Sequence, residues 1–141
     1  MQHRSTLRVA ADVRELAAVR EFVEAEAGAL RVAPGAVYDL VLAANEIATN
    51  IVVHGYRGQP GTIEVELRPE RDALAIVLRD QAPPFDPTQA PTPDTSLPLE
   101  RRALGGLGIH LTRRLTDLMT HRLRPGGGNE VTLIKRGVIA I

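Results

Sequence analysis

Cysteine and tryptophan are absent from the 141 residues, and phenylalanine and tyrosine number two each. Without thiols there is no disulfide framework, no thiolate metal site and no cysteine nucleophile. Aromatics at 3% mean an aliphatic core, and they leave few ring platforms for stacking nucleic-acid bases. A dominant charge is lacking as well. Lysine plus arginine and aspartate plus glutamate stand at 17 each, which argues against a surface built to neutralise a phosphate backbone, so no direct nucleic-acid partner is expected. The opening Met1-Gln2-His3-Arg4 begins no long apolar run and no stretch reads as membrane-spanning. The cytoplasm is therefore the expected location, with no membrane partner.

What is present is ordinary for a globular protein: 44% hydrophobic and 24% charged residues in 15.3 kDa. That length suits one domain spanning 1–141, with a core of useful size. Residues 5–10 alternate weakly, as a first strand does. Asp12 followed by Glu15 signals a helix start, and Val13, Leu16, Ala17, Val19, Val23 and Ala27 carry a helix to near Gly28. Pro34 suits the first turn of a second helix, whose buried face is drawn by Val37, Leu40, Val41, Ala44, Ala48 and Ile51. That helix should stop at Gly55, where Gly58, Pro60 and Gly61 crowd into a turn.

Ile63, Val65 and Leu67 alternate with charged residues, and Ala73 to Leu78 follows a turn at Pro69 to Asp72, so the two segments read as an antiparallel hairpin. Between Gln81 and about Leu104, Pro83, Pro84, Pro87, Pro91, Pro93 and Pro98 break regular structure. The sequence beyond is too short for a second domain, so a lid over a site fits better than an inter-domain linker. A third helical pattern runs from Leu104 through Leu111, Leu115 and Leu118. Two last strands, Met119 to Leu123 and Glu130 to Lys135, flank the turn Pro125-Gly126-Gly127-Gly128-Asn129. The sum is α/β in the loose sense: about three helices covering one face of a mostly antiparallel sheet.

Three stretches carry chemistry. Glu46 and Asn50 lie four apart and project from one helix face; alone, the pair is a solvated polar stripe as readily as a site. Asp80 ends an apolar strand, where it is either a turn former or an acceptor for a ligand's amino group. Gly105-Gly106-Leu107-Gly108 opens a helix, where side-chain-free backbone and unpaired amides admit phosphate; such turns are also common without ligands. Neither a dinucleotide fingerprint nor a Walker-type G-K-[ST] occurs. The four histidines show no metal-ligand spacing, and none precedes an acidic residue.

Taken in order, Glu46-x-x-x-Asn50, Asp80-x-x-x-x-Phe85-Asp86, Gly105-Gly106-Leu107-Gly108-Ile109 and Asn129-x-Val131-x-Leu133-x-Lys135 resemble the ATP-binding domain of the GHKL superfamily. The segment Asn45-Glu46-Ile47-Ala48-Thr49-Asn50-Ile51-Val52-Val53-His54-Gly55-Tyr56 is similar to that of the anti-sigma-factor serine/threonine kinases. The resemblance spans about residues 5 to 136. It implies a Bergerat-type fold, an α+β two-layer sandwich with a mixed, mostly antiparallel sheet, and a nucleotide lid at about 81–104. It also implies ATP and Mg2+ as cofactors. Asn50 would coordinate the metal, Glu46 would be the general base, and Asp80 would bind the adenine amino group. Ala82 and Phe85 would border the base, Gly105, Gly106, Leu107, Gly108 and Ile109 the phosphates, and Thr132 would place a hydroxyl near the adenine.

The implied activity is phosphorylation of a STAS-domain anti-anti-sigma factor by a kinase that also sequesters a sigma factor and can form a homodimer. A nucleotide-gated binding module without turnover is the alternative. The family usually has glycine where this chain has Ala82, and alanine is tolerated there only if φ stays negative.

Overall fold

The computed structural model describes residues 5–89 and 106–139. Five strands, β1 (Ser5–Ala10), β2 (Thr62–Glu70), β3 (Ala73–Asp80), β4 (Leu118–Leu123) and β5 (Asn129–Lys135), form one sheet in the order β1-β2-β3-β5-β4. Every neighbouring pair is antiparallel, so the sheet is not mixed among the described residues. Three helices, α1 (Leu16–Ala29), α2 (Pro34–Asn50) and α3 (Gly106–Leu115), complete the α/β architecture.

Alternation along the strands decides which face is covered. Ile63, Val65 and Leu67, then Leu74, Ile76 and Leu78, then Val131 and Leu133 are buried, and they form one core with Leu40, Ala43, Ala44, Ile47 and Ala48 of α2 and Val19, Val23 and Ala27 of α1. Pro69 falls inside β2 rather than in the turn. Among the described residues it lies past the β1–β2 pairs, which end at Ser5 with Leu67. Two residues expected to anchor α3 do not: Leu111 and Leu118 are exposed, and Leu118 belongs to β4. Val13 is exposed as well. Asp12 caps a short 3-10 turn through the Arg14 N–H, and α1 begins only at Leu16.

The opposite face carries a charged ladder. Arg79 of β3 reaches Glu64 and Glu66 of β2 at 2.9 Å each and Glu130 of β5 at 2.7 Å, while Arg122 of β4 meets Glu130 at 2.6 Å. Burial pulls the Arg79 guanidinium down, but its hydrogen bonds to Glu130, Glu66 and Glu64 outweigh that and its pKa is raised. Burial likewise pushes Glu130 up, and Arg122 and Arg79 together hold it below its ordinary value.

The helical stretch Pro34–Gly55 is 22 residues long with a mean hydropathy of 1.4, long and apolar enough to cross a bilayer by those measures, contrary to the expectation from sequence. Its apolar side is spent on the core instead, against α1 and the sheet.

Candidate functional site

Helix α2 and the ends of β3 and β5 meet around one small cavity. Asn50, the last residue of α2, is 5% exposed, and its Nδ2 donates to the Glu46 carbonyl one turn back at 2.9 Å. That bond fixes the amide and leaves Oδ1 without a partner among the described residues. Beyond Asn50 the helix widens into a π-helical turn over Ile51–Gly55, closed by Tyr56 N donating to Ile51 O at 2.8 Å. Such turns recur at functional sites because they re-aim the residues around them. The carboxylate of Glu46, half-buried one turn above, makes no hydrogen bond or ion pair among the described residues.

Asp80 ends β3 and is 3% exposed. Its Oδ1 accepts from Ala82 N and from Asn129 Nδ2, both at 2.9 Å, and its backbone carbonyl accepts from Arg124 at 2.9 Å. Oδ2 has no hydrogen-bond partner among the described residues. Tyr56 pins the next residue: its hydroxyl accepts from Gln81 N and donates to Thr62 O, both at 2.7 Å.

The condition on Ala82 is met. Its φ is not positive, and its methyl packs where a Cβ on Gly55 would come within 3.3 Å, so Gly55 supplies the space that Ala82 uses. Phe85 borders the cavity, and its N–H donates to Asn129 Oδ1 at 3.0 Å.

The cavity is bounded by Ile47, Asn50, Asp80, Phe85, Pro87, Asn129 and neighbours. It holds only about 10 Å³, room for one water, because Phe85 and Pro87 close in on it. A purine enters only if that wall moves outward.

Two expected contacts are corrected. Thr132 lies on the charged face of the sheet, paired with Val77 and Thr120, because alternation sends Asn129, Val131 and Leu133 toward the helices. Ile109 is 1% exposed in the core, so its side chain anchors α3 rather than touching a ligand. Gly106, Leu107 and Gly108 form the first turn of α3, where backbone amides are free; Gly105 and lid residues 90–104 lie outside the described residues. Sequence reasoning gave Asn129 no role, although the same alternation that placed Val131 and Leu133 in the core puts it on the site's face.

Among the described residues no three His, Asp or Glu side chains gather to hold a metal. The amide oxygen of Asn50, on a residue that lines the cavity and without a partner among the described residues, fits Mg2+, which takes few protein ligands and keeps its waters and substrate phosphates.

The sequence profile of the histidine kinase-like ATPase domain matches residues 9–135, nearly the whole chain. This chain belongs to that family. It is 33% identical over 97 residues to the serine/threonine-protein kinase BtrW of Bordetella bronchiseptica, covering 68% of either chain. It is 28% identical over 115 residues to the serine-protein kinase RsbW of Bacillus cereus, covering 79% of this chain and 72% of that one. Among solved structures, the RsbU and RsbW domains of Rv1364c from Mycobacterium tuberculosis superimpose with a TM-score of 0.61 at 16% identity. That match covers 94% of this chain but 32% of the other, and it speaks for the fold alone.

Proposed function

We propose that this family member is an ATP-dependent protein serine/threonine kinase of the anti-sigma-factor type. The observation that carries the reading is that Asn50 and Asp80 line one cavity, each with a side-chain oxygen lacking a hydrogen-bond partner among the described residues, with the unpaired carboxylate of Glu46 one helical turn above Asn50. Asp80 accepts the amino group of the base. Asn50 offers an amide oxygen to the metal, and the first turn of α3 offers backbone amides to the phosphates. Bound Mg-ATP supplies the phosphoryl group and the cation that screens its charge. Glu46 takes the proton of a substrate serine hydroxyl as its oxygen bonds to the γ-phosphorus and the bond to the β-phosphate oxygen breaks, leaving ADP.

The relatives' names motivate the protein substrate. The motif resemblance carried by Glu46, Asn50 and Asp80 supports a STAS-domain antagonist as that substrate, with a sigma factor held alternately, in the cytoplasm. A second reading, a nucleotide-gated binding module without turnover, draws on the closed cavity: at about 10 Å³ much of the binding energy would go into moving Phe85 and Pro87.

Calorimetry with ATP and Mg2+ tests the site. Wild type should bind, and Asn50→Ala should lose at least about tenfold in the presence of Mg2+ and much less in its absence. Equal losses under both conditions would remove Asn50 from the metal.

A further inference from the structure

Asn129 is saturated in a way that the sequence did not announce. It is 2% exposed, and its Nδ2 faces three acceptors: Asp80 Oδ1 at 2.9 Å, Pro83 O at 3.1 Å and Ala82 O at 3.3 Å. A carboxylate and two carbonyls accept but cannot donate, so the amide orientation is dictated by chemistry. Oδ1 must then face the Phe85 N–H at 3.0 Å and His121 Nε2 at 2.8 Å. It follows that His121 carries a proton on Nε2. Its other nitrogen lies 3.7 Å from Asp86 Oδ2, at the start of the segment that walls the cavity. Three pieces of chain, the end of β3, residues 82–85 and β4, thus converge on one side chain, and Asp86 joins them through His121.

We infer that Asn129, held in orientation by His121, is a positioning residue that commits Asp80 Oδ1 to the protein and presents Oδ2 alone to the base, and so sets selectivity for a purine bearing an exocyclic amino group. This rests on the reading of the cavity as an adenine site. Without the Nδ2 donor, Asp80 retains only the Ala82 N–H on Oδ1, and its carboxylate is free to turn about χ2. With it, a single acceptor of fixed direction faces the ligand. A base with a carbonyl in place of the amino group then meets an acceptor with an acceptor, which is disfavoured. His121 acts one step further out, by keeping the amide from rocking between its partners.

The test compares ATP with purine riboside triphosphate, which is the same molecule without the amino group, each with Mg2+, by calorimetry on the full chain. Wild type should favour ATP by about tenfold or more. Asn129→Ala should bring ATP affinity close to that of the amino-free nucleotide while the latter's own affinity changes little. Asn129→Asp, of the same shape but with an acceptor in place of the donor, should erase the preference as well, which keeps the test open if the alanine variant folds poorly. His121→Phe should narrow the preference and His121→Gln, which keeps a donor, should restore it. Variants of Asn129 that weaken both nucleotides equally, or that keep the wild-type ratio, overturn the inference while leaving the adenine site standing. A wild type that binds both nucleotides alike removes the role of Asp80 and this inference with it.

Discussion

Gly128 offers a stringent test of how the base site is built. It has φ +102°, and a Cβ placed on it would lie 2.0 Å from the Asp80 carbonyl oxygen and 2.9 Å from Gln81 Cα. Both obstacles are backbone, so no rotamer change relieves them. To reach even a short carbon–oxygen contact of about 3.3 Å, the β4–β5 turn must lift by roughly 1.3 Å. That movement stretches the Arg124 bond to Asp80 O and the Asn129 bond to Asp80 Oδ1, both 2.9 Å now.

Two hydrogen bonds at about 1 kcal/mol each, plus about 1 kcal/mol of backbone strain, give Gly128→Ala a cost of about 3 kcal/mol. For a domain of this size that is a fall in Tm of roughly 12 °C. Gly126, in the same turn with φ +87° and nothing within 4 Å, is the control. Gly126→Ala carries the strain alone, so about 1 kcal/mol, and should leave ATP affinity unchanged. Thermal unfolding followed by circular dichroism, with calorimetric ATP titration below both transitions, reads the difference. If Gly128→Ala costs no more than Gly126→Ala, or loses stability without losing ATP affinity, then the turn does not hold Asp80 in place.

The charged ladder gives two further predictions. Arg79→Leu strips the shared cation from Glu64, Glu66 and Glu130, and because the Arg79 side chain is 21% exposed the loss should be nearer about 2 kcal/mol than the larger cost of a fully buried pair, a Tm fall of roughly 8 °C. The pH dependence follows from carboxylates whose folded pKa is depressed, Glu130 by Arg122 and Arg79 against the pull of burial, and Asp12 to about 2 by its hydrogen bonds to Arg14. Such groups contribute fully above their unfolded pKa, and the contribution is lost as pH falls through the folded pKa. Urea unfolding between about pH 6 and about pH 2 should therefore show stability falling on the acid side, with a shallower fall in Glu130→Gln; an unchanged slope in that variant would remove Glu130 from the effect.

Much of the architecture could be read from periodicity, and the exceptions have local causes. Alternation marked β2, where Glu64-Val65-Glu66-Leu67 sends apolar residues to the core and charge to the other face, whereas β3, buried on both faces from Ala73 to Leu78, was marked by its apolar run after the turn. Leucine spacing misled at Leu111 and Leu118, since the helical pattern runs without a break into β4 and nothing in the residues marks the change of period. Asn50 and Asp80 were legible through the ordered motifs that resemble the ATP-binding domain family; taken alone, they read as readily as a solvated polar stripe and a turn former. Thr132 was misassigned by residue type, a hydroxyl on the right strand but the wrong face, whereas Asn129 three residues earlier lines the cavity. The contacts of Asn129 with Pro83 and His121 depend on segments distant in sequence, and no single-stretch pattern encodes them. The smallness of the cavity was also invisible, because it depends on how Phe85 and Pro87 fold back on Asp80.

The central claim is phosphotransfer through Glu46, and it is tested most directly by incubating the full chain with γ-labelled ATP, Mg2+ and a STAS-domain substrate and following label on serine. Wild type should label the substrate. Glu46→Gln should bind ATP as wild type does yet transfer at least about a hundredfold more slowly. Transfer at the wild-type rate by Glu46→Gln would remove Glu46 as the base, and a wild type that binds ATP but never labels its partner would contradict the kinase assignment itself.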